Sequence, residues 1–219
     1  MTSPAKAHFQ RTTAALEAAK ASAGSPMQGA TGYELMLAQL DGHKRRLKQV
    51  QSIARKVEIK RELLVEYDPY VEGVLSGGRG AQDDVLMTVM VWRIDTGDTA
   101  GALAIARYAI AHGLTMPDQY SRTTATLIAE EFAGAAFSAR GDGEAIDAPL
   151  LLDVLALVDE QDMPDEVKAK LHKAIAYALE PDNKPEALNH LQQALRLHDR
   201  VGVKDDIKRI ERDIKNTSV

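Results

Sequence analysis

Cysteine is absent from the 219 residues, and with it go disulfides, thiolate nucleophiles and cysteine-based zinc sites. That absence fits a reducing compartment. Aromatic residues make up only 5%, with one Trp and three Phe, and alternating β-branched runs are hard to find, so the composition leans to helix. No uninterrupted apolar run approaches the roughly 18 to 20 residues needed to span a bilayer. The opening MTSPAKAHFQR has no apolar signal core. These absences predict a soluble, cytoplasmic, all-α protein.

Several chemical signatures are missing as well. SGGRG at 76–80 is the one glycine-rich loop, yet it lacks the lysine and hydroxyl of a phosphate-cradling GxxxxGK[ST] sequence and follows no strand. The six histidines form no i, i+4 pair and no HExxH sequence, so no metal site is predicted from them. No serine lies in a GxSxG turn. Carboxylates are harder to set aside, because a nuclease needs only two or three converging on Mg²⁺ and sequence spacing hides convergence. Asp83, Asp84, Asp95, Asp98, Glu130 and Glu131 are the candidates, with Asp83 and Asp84 the pair to test for catalysis. The same aspartates stand where helix caps are wanted, and Glu130-Glu131 fits an exposed patch. No cofactor is expected, apart from Mg²⁺ if the chain itself cleaves.

What the sequence does have is charge polarity. The first 61 residues carry eleven basic and four acidic side chains, about +7, and the remainder holds about −12 to give the net −5. Eight of the 27 Lys and Arg fall between His43 and Arg61: Lys44, Arg45, Arg46, Lys48, Arg55, Lys56, Lys60 and Arg61. Within that run only Glu58 offsets them. A basic front end on an acidic body points to a polyanion held at one end and repelled by the rest. No aromatic lies between Lys44 and Arg61 to stack single-stranded bases, so duplex phosphate is the preferred partner. Gln49, Gln51 and Ser52 are candidates for reading base edges. Against this stands the plain alternative that lysines and arginines decorate a solvated helix or a coiled-coil flank.

The breakers divide the chain into four segments. Residues 1–30 read as a short Ala-rich helix over 4–21 and then a Gly/Ser/Pro linker, together a flexible arm. Residues 31–75 are the basic region for DNA binding and oligomerisation. Between Tyr33 and Glu66 only Gly42 interrupts helix, so one helix of about 34 residues is predicted, with a seven-residue stripe through Leu40, His43, Leu47, Val50, Ala54, Val57, Arg61 and Leu64. The core segment, 81–139, predicts a buried helix at 82–94, a second at 99–112 closed by Gly113, and a third over 118–139. Segment 148–219 predicts helices at 148–160, 164–179, 185–200 and 204–216, a C-terminal helical domain contacting neighbouring subunits or a larger partner subunit. The expected architecture is a basic long helix or helical hairpin followed by a bundle of antiparallel helical hairpins, in an oligomer.

The residues QDDVLMTVMVWRIDTGDTAGALAIARYAIAHGLTMP at 82–117 resemble the small terminase subunit of P2-like tailed bacteriophages. The opening MTSPAKAHFQR, YELMLAQL with the following KRRLKQVQS, and DMPDEVKAKLHKAIAYAL with ALNHLQQALRLHDRVGVKDDIKRIER extend the resemblance over most of the chain. The resemblance implies viral genome packaging: binding of the packaging (cos) site on double-stranded viral DNA by a ring-like homo-oligomer. It implies delivery to a large terminase subunit that supplies ATPase and nuclease activity, in the host cytoplasm. It also implies involvement in cohesive-end cleavage, since the family carries an endonuclease label, although no nuclease motif is visible in this chain. Two other readings remain at this level: a helical protein-interaction scaffold without direct DNA binding, and an intrinsic Mg²⁺-dependent endonuclease.

Overall fold

A computed structural model describes residues 3–27, 29–118 and 120–217. Among them are eleven helices: α1 (Pro4–Lys20), α2 (Thr31–Lys48), α3 (Ile53–Leu64), α4 (Asp68–Gly77), α5 (Asp84–Thr96), α6 (Thr99–His112), α7 (Thr124–Gly141), α8 (Ala148–Val158), α9 (Asp165–Leu179), α10 (Lys184–Leu197) and α11 (Lys204–Thr217). The only β-pairing among the described residues is an isolated bridge between Pro26 and Gln82, so the all-α expectation holds. Two compact units emerge, Met1–Thr124 and Ala125–Val219.

The first unit is organised around α5, whose DVLMTVMVWRIDT has no polar face and is buried along almost its whole length. Its cap is unusual. Asp83 is fully buried, accepts the Leu86 N–H at 2.8 Å through Oδ1, and receives the Tyr70 hydroxyl at 2.6 Å on Oδ2. Gly97, at φ +84°, turns the chain in the left-handed region that a side chain disfavours, and Asp98 then caps α6 by accepting the Gly101 N–H at 3.0 Å. Both helices expected at 82–94 and 99–112 are therefore present and pack on each other.

The short Ala-rich helix expected over 4–21 is present as α1, and it is laid along α4. Ala14 and Ala18 of α1 are buried, and α4 meets them with glycine: a Cβ at Gly73 would lie 2.8 Å from the Ala14 Cβ and run into the Arg11 carbonyl, and one at Gly77 would lie 2.7 Å from the Ala15 carbonyl oxygen. The linker is pinned too. The Gly24 N–H donates to the Gly80 carbonyl at 2.8 Å, the Gln82 N–H to the Ser25 carbonyl at 3.0 Å, and Met27 is buried. Gln28 lies outside the described residues. From α1, Glu17 reaches across to accept the Gly32 and Tyr33 N–H groups at 2.9 and 3.1 Å. It supplies the N-terminal cap that Ala30, with no acceptor in its side chain, cannot give α2.

The single helix expected from Tyr33 to Glu66 is two helices. α2 ends at Lys48, residues 49–52 turn, and Ser52 opens α3 by accepting the Arg55 N–H at 3.3 Å. The physical reason is that the seven-residue stripe does not survive folding. Leu40, Leu47 and Leu64 of the stripe are buried, but Ala54 faces solvent, and α3 buries Ile59 and Leu63 from off the stripe. A break lets α3 start on its own helical phase and set that apolar edge against α5. A second correction concerns the helix expected over 118–139, which begins only at Thr124. Its hydroxyl donates to the Leu114 carbonyl at 2.6 Å, and Thr115 is held by Gln82 Oε1, which accepts its N–H at 2.9 Å. These bonds fix residues 114–115 and the start of α7 on either side of the segment that follows Pro117, in which Gln119 lies outside the described residues.

In the second unit α10 packs on α9 and α11 packs on α10. Ala176, Ala187, Leu191, Val203 and Ile210 form a small core, flanked by Ile207 and Ile214 of α11. The charged face of α11 is tied down as well: Arg209 pairs with Glu180 and Asp206, and Lys184 pairs with Asp213 at 2.9 Å. On α7, Phe137 meets Tyr177 edge to face and the Arg140 guanidinium lies 3.6 Å over the Tyr177 ring.

Between α9 and α10 the Nδ1 atoms of His172 and His190 face each other at 2.9 Å. Burial, then each other's charge, pushes the His172 ring down to about 4, and burial lowers His190. Lys168 and Arg196 act in the same direction on His172, and Asp159 opposes them, as Glu186 does at His190. Because the folded values lie below the ordinary 6.5, the pair's stabilisation is complete above that pH and is lost as pH falls toward 4. Melting of the 125–219 unit, followed by circular dichroism, should therefore weaken between pH 6.5 and 4. Replacing both histidines by Leu should remove that slope.

Candidate nucleic-acid interface

The break at 49–52 decides what the eight basic residues can do. At the end of α2, Arg45, Arg46 and Lys48 are exposed, and at the start of α3 Arg55 is exposed and Lys56 partly so. The turn gathers these five side chains around four residues of chain. Cations in the last turn of a helix suit its dipole, but Arg55 and Lys56 sit in the first turn of α3, which itself holds no acidic residue. Such a placement opposes the helix dipole, and a bound anion would offset it. Arg45, Lys48 and Lys56 make no ion pair among the described residues. Arg46 lies 3.9 Å from Glu62 and Arg55 2.6 Å from Glu58, but both pairs are solvent-exposed and so weakly held.

The other three expected contacts are drawn into the fold. Lys60 pairs with Asp95 at the end of α5, and Arg61 donates from Nη2 and Nε to the Thr96 carbonyl at 3.1 and 3.3 Å. Together they fasten α3 to the C-terminus of α5, where the helix dipole favours a cation. Lys44 is half-buried, its ammonium lowered by burial, with Asp41 and Asp84 acting against that shift. His43, the first residue of the basic run, faces inward: its Nδ1 is 2.8 Å from the Tyr67 hydroxyl, and Tyr67 meets Trp92 edge to face. Trp92 is a core residue, 5% exposed. The structure thus assembles five of the predicted cations and separates three from them. Gln49, Gln51 and Ser52 lie exposed on the same turn.

The sequence signal for the break was present in Ser52, a residue type that favours the N-cap. Nothing local marked Asp95 and Thr96 as the partners of Lys60 and Arg61, since 35 residues separate them.

Asp83 and Asp84, the weak catalytic candidates, behave differently from a Mg²⁺ site. Asp83 is sealed from solvent, and burial raises its carboxyl to about 6 against the lowering effect of its hydrogen bonds. Both its oxygens are engaged in capping α5 and in the bond from Tyr70. Asp84 accepts from Gln82 Nε2 at 3.2 Å. Among the described residues no group of three or more His, Cys, Asp or Glu is placed to hold a metal ion. Among the described residues no helix is long and apolar enough to cross a membrane.

The model of the phage small terminase subunit family matches residues 37–166, a span that contains the whole α2–α3 turn. The chain is also 50% identical over 216 residues to the terminase, endonuclease subunit of Escherichia phage P2, covering 98% of this chain and 87% of that protein. No solved structure matches it. With a family model matching more than half of its residues and a relative 50% identical over nearly its whole length, the chain belongs to the phage small terminase subunit family.

Proposed function

We propose that this chain is the DNA-gripping subunit of a viral packaging machine. The α2–α3 turn binds phosphates of duplex DNA at the packaging (cos) site, the subunits assemble into a ring, and the ring delivers the DNA to the large ATPase and nuclease subunit in the host cytoplasm. The observation that carries this reading is the clustering of Arg45, Arg46, Lys48, Arg55 and Lys56 around one turn, two of them at a helix N-terminus that lacks an acid. An acidic remainder of about −12 keeps the duplex from the rest of the surface. Family membership supports the packaging role, and the phage P2 relative bears an endonuclease name.

The test is the salt dependence of duplex binding by the intact chain, measured by fluorescence anisotropy. Converting Arg45, Lys48, Arg55 and Lys56 to Ala removes four phosphate contacts per engaged subunit. The slope of log K against log salt should flatten by about 3.6, and affinity near 0.15 M salt should fall on the order of 10³-fold. Lys60→Ala, by contrast, should lower stability and leave the slope unchanged. A quadruple variant that binds as the parent does would remove this turn from the DNA contact.

A further inference from the structure

Charge does not account for one side chain on the turn. Ile53, the first residue of α3, is 79% exposed, more than Phe9, Leu16, Leu35 or Val65, the other large apolar residues left open among the described ones. Those four belong to α1, the head of α2 and the residue after α3. Ile53 stands within the cluster of five cations, with Arg45 and Lys48 before it and Arg55 and Lys56 after it, and with the exposed amides of Gln49 and Gln51 and the Ser52 hydroxyl beside it. Helix formation does not ask for it. A β-branched side chain is a modest helix former, and α3 buries its apolar residues at Ile59, Leu63 and Leu64 instead.

We infer that Ile53 is a sequence-reading residue, packing its methyl groups against the C5-methyl of thymine in the major groove while the flanking cations hold the phosphates on either side. This rests on the duplex-binding reading above. The chemistry is specific. In the major groove thymine alone among the four bases offers a methyl group, and apolar side chains recognise it by contact. The groove is about 12 Å wide and admits a helix end. A cationic rim brings Ile53 to the groove floor without sequence preference, and the apolar contact then distinguishes A·T from G·C. A branched chain, stiff at χ1, gives up little rotamer freedom in making the contact. Gln51 and Ser52 can add hydrogen bonds to neighbouring base edges, but only the apolar contact depends on a methyl group.

The experiment uses the full chain and a duplex enriched by it from a random-sequence pool, prepared once with thymine and once with deoxyuridine, which lacks the methyl group and keeps the same base pairing. Parent protein should bind the deoxyuridine duplex about fourfold more weakly for each methyl contacted. Ile53→Ala should bind both duplexes equally and keep the parent's salt slope, because no charge is changed. Its melting temperature should match the parent's, since the side chain is exposed. Equal affinity of the parent for the two duplexes, continued discrimination by Ile53→Ala, or a selection that enriches no sequence would each overturn the assignment while salt-sensitive binding stands. Absence of any duplex binding would overturn the parent reading, and this one with it.

Discussion

Asp83→Ala should lower the unfolding free energy of the 1–124 unit by about 2 to 4 kcal/mol. The carboxylate caps α5, a function worth about 1 kcal/mol, and it is the partner of the Tyr70 hydroxyl, which would be left buried and unpaired at a further cost of roughly 1 to 3 kcal/mol. Trp92 is the only tryptophan and lies in that unit, so its fluorescence in a urea titration reports this loss without interference from the other unit. Asp83→Asn should cost far less, because the amide oxygen can still accept the Leu86 N–H. The pH dependence separates the parent from both substitutions. Burial raises the folded carboxyl from 3.8 to about 6. A raised folded value gives stability that is complete below about pH 4 and lost as pH climbs through 6, about 3 kcal/mol in all. The asparagine variant should lack that decline. A parent protein with flat stability between pH 4 and 6.5 would show that Asp83 keeps an ordinary carboxyl.

Gly73→Val should detach α1 from α4. Any Cβ at this position meets the Arg11 carbonyl and lies 2.8 Å from the Ala14 methyl, and backbone cannot swing aside as a flexible side chain can. Overpacking of this kind costs about 1 to 3 kcal/mol. Since α1 buries only Ala14 and Ala18, it has little with which to resist lifting away. Amide exchange in α1 should speed up by as much as about 100-fold, and proteolysis should cut within it. The consequence travels to the basic region, because Glu17 departs with α1 and leaves the Gly32 and Tyr33 N–H groups uncapped. The head of α2 should fray while its far end, with Arg45 and Lys48, stays helical, so the salt slope of duplex binding should persist. Gly134→Ala is the control: a Cβ there meets nothing within 4 Å, and the change should stabilise α7 by up to about 1 kcal/mol. Unaltered exchange in α1 of the Gly73 variant would show that α1 does not depend on this packing.

Composition and punctuation were enough to read most helices. Asp83, Gly97, Asp98 and Gly113 announced both ends of α5 and α6 because caps and left-handed turns are chosen by residues within a few positions of one another. The charge polarity was equally legible, since counting lysines and arginines needs no geometry. Two readings failed for a shared reason. The continuous helix at 33–66 and the helix start at 118 were judged from the absence of strong breakers, whereas the real boundaries came from contacts: α3's apolar edge on α5, and Thr115 and Thr124 tied to Gln82 and Leu114. The docking of α1 was invisible for a similar reason, because glycines at 73 and 77 look like flexibility until a neighbouring helix fills the space they leave.

The chain alone determined an all-α protein, positive at its front and negative behind, and its resemblance to a packaging family, because those properties live in residue type and short-range order. Tertiary structure decided which cations remain available. Lys60 and Arg61 are indistinguishable in sequence from Arg55 and Lys56, yet they meet Asp95 and Thr96, 35 positions on, while the other pair stays at the solvent-facing turn beside Ile53. A charge's partner is set by distance in space, and only folding brings those distant residues within reach of it.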